Sequence, residues 1–332
     1  MNKEMIQGVP TNIITGFLGS GKTSAILHLL KNKPADERWA VLVNEFGEIG
    51  VDGSFLTGKH TKEQGIFIRE VPGGCMCCAA GLPMQVALNQ LLKNAKPDRL
   101  LIEPTGLGHP KEILQVLSAE HYQQTLSLQK TLTLIDARNL HDTRYTEHAT
   151  FNQQIAIADT LVGSKADLYQ EADKTCLMAY AKAQGKENVS VIFAEYGNIA
   201  YSQLIGKSAI KVAAPHSHHH EVKKSLATEI VIPACGFIKS ANQGEGFNSV
   251  GWRFSPQIEF NYKKLFIFLN SLKVERMKGV FITDKGMFAY NATHESLQEM
   301  ALDSVKESRI EIISQQLDNK LEAHLMACYL SQ

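Results

Sequence analysis

The sequence predicts an α/β chain: a doubly wound, mostly parallel sheet followed by a smaller C-terminal α+β domain. Three observations carry this. Apolar strand-like runs alternate with helical patterns up to residue 206. A polar stretch without periodicity, KSAIKVAAPHSHHHEVKKS at 207–225, then breaks the rhythm. Beyond it, from 226 to 332, strand patterns outnumber helical ones. Strand then helix, repeated, is the pattern of a sheet covered on both faces, whereas clustered strands with few helices mark an α+β unit.

The elements follow in order. Strands are expected at TNIIT (11–15), AVLVN (40–44), FIREV (67–71), RLLIE (99–103), TLTLID (131–136), TLVGS (160–164) and VSVIFA (189–194). Helical spacing appears between most of them, in SAILHLLKN, PMQVALNQLLKN and ADKTCLMAYAKAQ. After the linker, LATEIVIPA, VGWRFS, VERMKGVFIT, GMFAYN and RIEIIS read as strands. NYKKLFIFLNSL and LDNKLEAHLMACYL read as helices.

Bulk properties narrow the classes. At 332 residues the chain is long enough for two domains, each with a buried core. Apolar content of 44% and charged content of 20% are ordinary for a globular protein. Lys plus Arg total 34 and Asp plus Glu total 34, so no bulk field favours nucleic acid or an anionic membrane. No leader-like or membrane-length apolar run occurs, which predicts a cytoplasmic protein with reduced thiols.

The first strand runs into GFLGSGKT, with Gly16, Gly21, Lys22 and Thr23 in the P-loop pattern. A strand before it and an amphipathic helix after it are the context that the pattern requires. Glycines at 16, 19 and 21, with Ser20, let backbone N–H groups turn toward phosphate oxygens. Lys22 supplies a cation to the β and γ phosphates, Thr23 a hydroxyl for Mg²⁺, and Ser24 extends the helix start. A nucleoside triphosphate site follows. RLLIEPTGLG puts Glu103 at a strand end, where an acid supports Mg²⁺, and Gly106 where a backbone N–H can reach the γ phosphate. A capping or surface acid is the plainer reading of Glu103.

TLVGSKADL ends another strand with Ser164, Lys165 and Asp167. A carboxylate at 167 can accept from both the N1–H and the 2-amino group of guanine, whereas adenine would leave it unpaired. The Lys165 stem can lie along the base face. Ser164 departs from the usual Asn and loses its bracing amide. GTP is therefore the expected nucleotide, with a simple turn as the plainer reading of the motif.

PGGCMCCAAG at 72–81 concentrates Cys75, Cys77 and Cys78 in one loop ahead of a helix. Adjacent side chains on a strand point to opposite faces, so Cys77 and Cys78 need irregular backbone. A helix N-terminus favours thiolates, and three thiolates suit Zn²⁺ or Cu(I), with zinc favoured by the oxygen and nitrogen groups nearby. A three-thiol set leaves a position open, which suits capture and release of an ion. Inert cysteines or a redox switch are the competing readings. His216, His218, His219 and His220 add a loose zinc-collecting cluster in the linker, or simply a solvated one. NEFGEIGVD at 44–52 occupies the place of a nucleotide-sensing switch, so nucleotide state and metal affinity can be linked.

Together GFLGSGKT, NEFGE, GGCMCC, IEPTGLG and SKAD, in that order, resemble the CobW-type P-loop GTPases, a metallochaperone family, and most closely its YeiR-type zinc-binding branch. RMKG (276–279) and SRIEIIS (308–314) resemble that family's C-terminal domain. The resemblance implies a GTPase related to the nickel-insertion proteins HypB and UreG, slow alone and stimulated by metal or a client metalloprotein. Some relatives hold metal with a carboxylate just before the NEFGE asparagine. Val43 stands there in this chain, which leaves that role to Glu45 or Glu48. Asp52 resembles the switch acid near Mg²⁺. A cobalt- or cobalamin-pathway accessory protein, a zinc buffer or sensor with a weak nucleotide site, and a small-molecule kinase are the rival readings. Client recognition or self-association falls to the smaller domain.

Overall fold

A computed structural model describes residues 6–44, 64–71, 82–108, 110–185, 189–209, 232–244, 246–293 and 296–330. These fall into two compact units, one reaching to residue 209 and the other beginning at 232. The expected Cys75, Cys77 and Cys78 ligands lie outside the described residues, as do Glu45, Glu48, Asp52 and the four linker histidines. Among the described residues, no helix is long and apolar enough to cross a membrane.

The first unit is an eight-stranded sheet. Its strands are β1 (Val9–Gly16), β2 (Trp39–Asn44), β3 (Ile66–Val71), β4 (Arg99–Glu103), β5 (Leu126–Leu128), β6 (Leu132–Ile135), β7 (Thr160–Ser164) and β8 (Ser190–Ala194). They lie in the order β3-β2-β4-β1-β6-β7-β8, with the short β5 also beside β1. Every recorded pairing is parallel. The helices are α1 (Lys22–Lys31), α2 (Leu82–Ala95), α3 (Pro110–Leu117), α4 (Thr143–Thr146), α5 (Ala149–Ala156) and α6 (Glu171–Gln184). In α1, Ala25, Ile26, Leu29 and Leu30 form one buried stripe at helical spacing. On β2 and β4, Ala40, Leu42, Leu100 and Ile102 share a core with Met84, Leu88, Leu91 and Leu92 of α2 and with Ile113, Leu114 and Leu117 of α3. Strands buried on both faces read as continuous apolar runs, which is why β2 and β4 were visible in the sequence.

Strand β1 lies between β4 and β6, so the chain turns to opposite sides of the sheet around it. That reversal opens a crevice at the carboxyl ends of the strands, where ligands bind in such sheets.

The second unit is a six-stranded sheet in the order β13-β12-β11-β14-β10-β9, with all recorded pairings antiparallel. The strands are β9 (Phe237–Gly244), β10 (Phe247–Phe254), β11 (Arg276–Thr283), β12 (Gly286–Ala292), β13 (Leu297–Leu302) and β14 (Arg309–Ser314). Helices α7 (Tyr262–Ser271) and α8 (Leu321–Met326) complete it. Val250, Trp252, Phe254, Met277, Phe281, Tyr290, Ile310 and Ile312 form one sheet face and pack with Leu265, Phe268 and Leu269 of α7 and Leu321 and Leu325 of α8. The alternate positions carry Arg253, Arg309, Lys278 and Glu311, all on the other face by register.

Three expectations shift here. Of LATEIVIPA, residues 226–231 lie outside the described set and 232–234 are not strand. The two edge strands are instead FIKSANQG and LQEMAL, whose polar residues fit a half-solvated edge and hide the pattern. The C-terminal helix starts at Leu321, because the Asp318 carboxylate accepts from the Lys320 N–H (2.9 Å) and closes a turn first. Residues 207–209, expected to open the linker, are tied down: Asp159 accepts from Ser208 Oγ (2.8 Å) and the Ala209 N–H (3.1 Å).

Candidate functional site

Local backbone chemistry shapes the phosphate cradle. Gly16 closes β1 at φ 147°, and a Cβ there would collide with the carbonyl oxygen of Leu134 on β6. Gly19 and Gly21 both have positive φ, and Gly21 forms the left-handed cap from which α1 departs. The loop between strand and helix is therefore tight for steric reasons. Lys22, the first residue of α1, is buried and folds back so that its Nζ donates to the carbonyls of Gly16 (2.7 Å) and Phe17 (3.1 Å). Thr23 Oγ1 donates to Glu103 Oε1 at 3.1 Å, and both residues are buried. Two hard oxygen donors converge beside the cradle, as a small divalent cation requires. Val43 pairs in register with Glu103 and is fully buried, so no carboxylate comes from that position on β2.

Gly106 approaches the cradle directly. A Cβ built there would lie 3.0 Å from the Leu18 amide nitrogen and 3.2 Å from Lys22 Nζ. Gln154 Nε2 donates to the Gly106 carbonyl (3.0 Å), and Thr105 Oγ1 accepts from the Leu107 N–H (3.1 Å). These bonds brace the turn after β4 internally and against α5, while Gly106 itself lies close to Leu18 of the loop after β1. The Phe17 ring sits edge-on to Tyr145, His148 and Phe151, with centroids 5.4, 4.8 and 5.9 Å away. That aromatic nest supports the cradle from behind, and the sequence reading did not identify it.

At the ends of β7 and β8 lie the base-reading candidates. Ser164 is the last residue of β7; its Oγ is buried and has no hydrogen-bond partner among the described residues. Lys165 follows in left-handed backbone, φ 57°, with its Nζ 3.1 Å from Asp136 Oδ2. Asp167 is exposed, and its Oδ1 accepts from the Tyr196 N–H at 3.3 Å. Tyr196 itself has φ 51° and is 79% exposed. Gly197 presses on the start of α1, where a Cβ would lie 2.8 Å from the Ser24 carbonyl carbon. The turn after β8 thus links the Asp167 carboxylate to the helix that carries Lys22 and Thr23. Its signal in the sequence was the EYG that follows VSVIFA, where a glycine after a strand marks a close approach.

The structure brings together Gly16, Gly19, Ser20, Gly21, Lys22, Thr23, Ser24, Glu103 and Gly106 around the loop after β1. Ser164, Lys165 and Asp167 sit together at the carboxyl end of β7, on the same edge of the sheet. Among the described residues, no group of three or more His, Cys, Asp or Glu side chains could hold a metal ion. Cys176, Cys235 and Cys328 are free thiols. Burial raises the Cys328 thiol to about 11, the range of an inert core cysteine.

Comparison with known proteins agrees with this geometry. Residues 10–203 match the family model described as the CobW/HypB/UreG nucleotide-binding domain. The chain is 41% identical over 309 residues to the zinc chaperone YeiR of Escherichia coli (strain K12), covering 92% of each chain. It is 33% identical over 172 residues to the zinc chaperone YjiA of the same strain, covering 50% of this chain and 52% of that one. It is 25% identical over 248 residues to the zinc chaperone CobW of a Sinorhizobium species, covering 67% and 69%. The chain belongs to the CobW/HypB/UreG family.

Proposed function

We propose that the chain is a Mg²⁺-dependent GTPase that binds zinc at Cys75, Cys77 and Cys78 and couples GTP binding and hydrolysis to zinc delivery. The recipient is a client metalloprotein in the cytoplasm, where the thiols stay reduced. One observation carries the nucleotide half: the buried Thr23–Glu103 hydrogen bond beside a cradle whose lysine is already turned inward. The sulfur-rich loop and the zinc chaperones among the relatives support the zinc half.

In this reading the backbone of Gly16 and of Gly19 to Thr23 surrounds the phosphates, with Ser24 at the helix start. Lys22 leaves the two loop carbonyls and meets the phosphate oxygens. Thr23 and Glu103 hold Mg²⁺, which when bound offsets charge on the β and γ phosphates. The Gly106 N–H faces the γ phosphate, at a position where a larger residue would crowd Leu18 and Lys22. Water attacks the γ-phosphorus, the bond to the bridging oxygen breaks, and GDP and phosphate leave. Catalysis here is positioning and charge stabilisation, so a slow reaction stimulated by metal or client is expected.

Asp167 accepts from the guanine edge, Lys165 covers the base face, and the unpartnered Ser164 hydroxyl gains a partner when the pocket fills. Asp52 serves as the switch acid, Glu45 or Glu48 as an oxygen ligand for zinc, and the linker histidines as a weak collecting site. The smaller domain, 226–332, serves client recognition or self-association.

The test is the GTPase rate with and without stoichiometric zinc, in the parent and in a Cys77→Ala, Cys78→Ala double variant. Zinc should accelerate the parent and leave the variant unmoved. Equal rates in all four conditions would separate the two halves of the proposal.

A further inference from the structure

Among the described residues only Lys96, Lys165 and Tyr196 are non-glycine residues with positive φ, and two of these flank the base-reading pocket. A lysine in left-handed backbone costs about 1–2 kcal/mol, and such strain persists only where neighbours enforce it. The enforcing neighbours are Asp136 and Arg138. The Lys165 ammonium lies 3.1 Å from Asp136 Oδ2, and Arg138 Nη2 lies 2.6 Å from the same oxygen. The Asp136 side chain is 3% exposed, against 29% for Lys165 and 22% for Arg138. This is a buried anion with a cation on each side, and exposed surface pairs are a poor guide to its worth.

Asp136 follows β6 directly, and its Oδ1 accepts from the Arg138 N–H (3.3 Å) and from Arg138 Nε (2.9 Å). A second tie joins the same two segments. The Tyr169 hydroxyl accepts from the Ala137 N–H (2.7 Å) and donates to the Ile135 carbonyl (3.0 Å). Burial pushes the Tyr169 pKa up, so the phenol keeps the proton that it donates. Asp136 also lines a small cavity with Phe17, Leu18 and Ser20 of the cradle. The carboxylate therefore stands between the phosphate loop and the base-reading loop, and its stronger partner is local to its own turn. Its reach to Lys165, 29 positions away in sequence, is what a local cap would not require.

We infer that Asp136 is a positioning residue for base recognition: it anchors the Lys165 ammonium so that the lysine stem covers one face of the bound base. It touches no nucleotide itself. The inference rests on the guanine reading of Lys165 and Asp167, and it deepens that reading by naming what holds the lysine.

A stem on the base face is blind to groups on the base edge. Asp136→Asn should therefore weaken GDP, IDP and XDP alike, by about tenfold each, measured with fluorescent diphosphates. In a Lys165→Met background the same change should have no further effect. An equal loss in both backgrounds, or no loss in the parent, would overturn the inference and leave Asp136 a structural cap. The underlying reading fails separately: Asp167→Asn should move preference from GDP to XDP, and an unmoved preference would sink it whatever Asp136 does. If Asp136→Asn does not fold, the pair Asp136→Asn with Arg138→Gln removes the stranded cation with the anion. Arg138→Gln alone should bind all three diphosphates as the parent does, so the pair should show the same loss as Asp136→Asn.

Discussion

At the carboxyl ends of the strands, Lys165 and Arg138 share the buried Asp136; at the amino ends, Arg99 is as deeply buried and pairs with no carboxylate among the described residues. Arg99 Nη1 donates to Asn12 Oδ1 (2.7 Å) and Nη2 to the Tyr201 hydroxyl (3.2 Å). Its guanidinium lies over the rings of Trp39 (5.7 Å) and Tyr201 (5.1 Å). Asn12 Nδ2 in turn donates to the carbonyls of Lys130 (2.9 Å) and Leu204 (2.8 Å). Backbone in this cluster is ordinary, since Arg99, Trp39, Asn12 and Tyr201 all have negative φ. The Arg99 cluster turns most of its polar groups on one another and on ring faces, leaving Arg99 Nε without a hydrogen-bond partner among the described residues. The carboxyl end carries the phosphate cradle, Lys165 and Tyr196 in left-handed backbone, and a lysine bent onto loop carbonyls. One end is built around packing, and the other around groups that a ligand can engage.

This contrast can be broken by exchanging the readouts. Lys22→Ala should lower kcat/KM for GTP by at least about 100-fold, since the cation that meets the transferred group is lost. Chemical denaturation should show the variant nearly as stable as the parent. Trp39→Ala should do the opposite. Trp39 is fully buried and its Nε1 donates to Glu37 (2.6 Å), so truncation should cost about 3–5 kcal/mol in urea unfolding. Its remaining folded fraction should bind GDP with parental affinity. A Trp39 variant that keeps its stability and loses GDP would collapse the distinction between the two ends.

Arg99→Met comes next in size. The thioether can fill the space between the two rings, but Asn12 Oδ1 then lacks its donor, so about 1–3 kcal/mol should be lost. An added Asn12→Leu change should deepen the loss, because the carbonyls of Lys130 and Leu204 then lose the Asn12 amide that donates to them. A double-mutant cycle in urea separates that cost from the Arg99–Asn12 coupling.

Legibility in the sequence follows the same division. The cradle was readable because its constraints are local: three glycines, a lysine and a threonine lie within eight positions, between a strand and a helix. Glu103 was readable because an apolar strand ends at it, and Asp167 because it follows three residues after the end of another. Asp136 is the last residue of TLTLID, and nothing nearby reveals that its partner lies beyond the next two helices and strand. Arg99 opened RLLIE and gave no sign of burial, because charged residues at strand starts are normally solvated and its ring partners come from residues 39 and 201. The polar edge strands β9 and β13 escaped for a different reason: half-solvated edges lack the apolar run that marks a central strand. Local steric demands show in sequence, while long-range charge partners do not.

The smallest effect expected tests whether the carboxyl end tolerates the tight packing that the amino end lives by. Gly106→Ala adds one methyl group, which would meet the Leu18 amide nitrogen at 3.0 Å, Leu18 Cδ2 at 3.0 Å and Lys22 Nζ at 3.2 Å. The Leu18 side chain can rotate aside, and Lys22 already has to leave its carbonyls when phosphate binds. The amide nitrogen can do neither, because it belongs to the loop that defines the cradle. Stability should therefore fall by only about 1–2 kcal/mol, as for other overpacked sites. Turnover should fall by about tenfold with GDP affinity nearly intact, since the crowded edge is the one proposed to face the γ phosphate. Equal losses for GDP binding and GTP turnover would place Gly106 against the β phosphate, and unchanged turnover would remove it from the site.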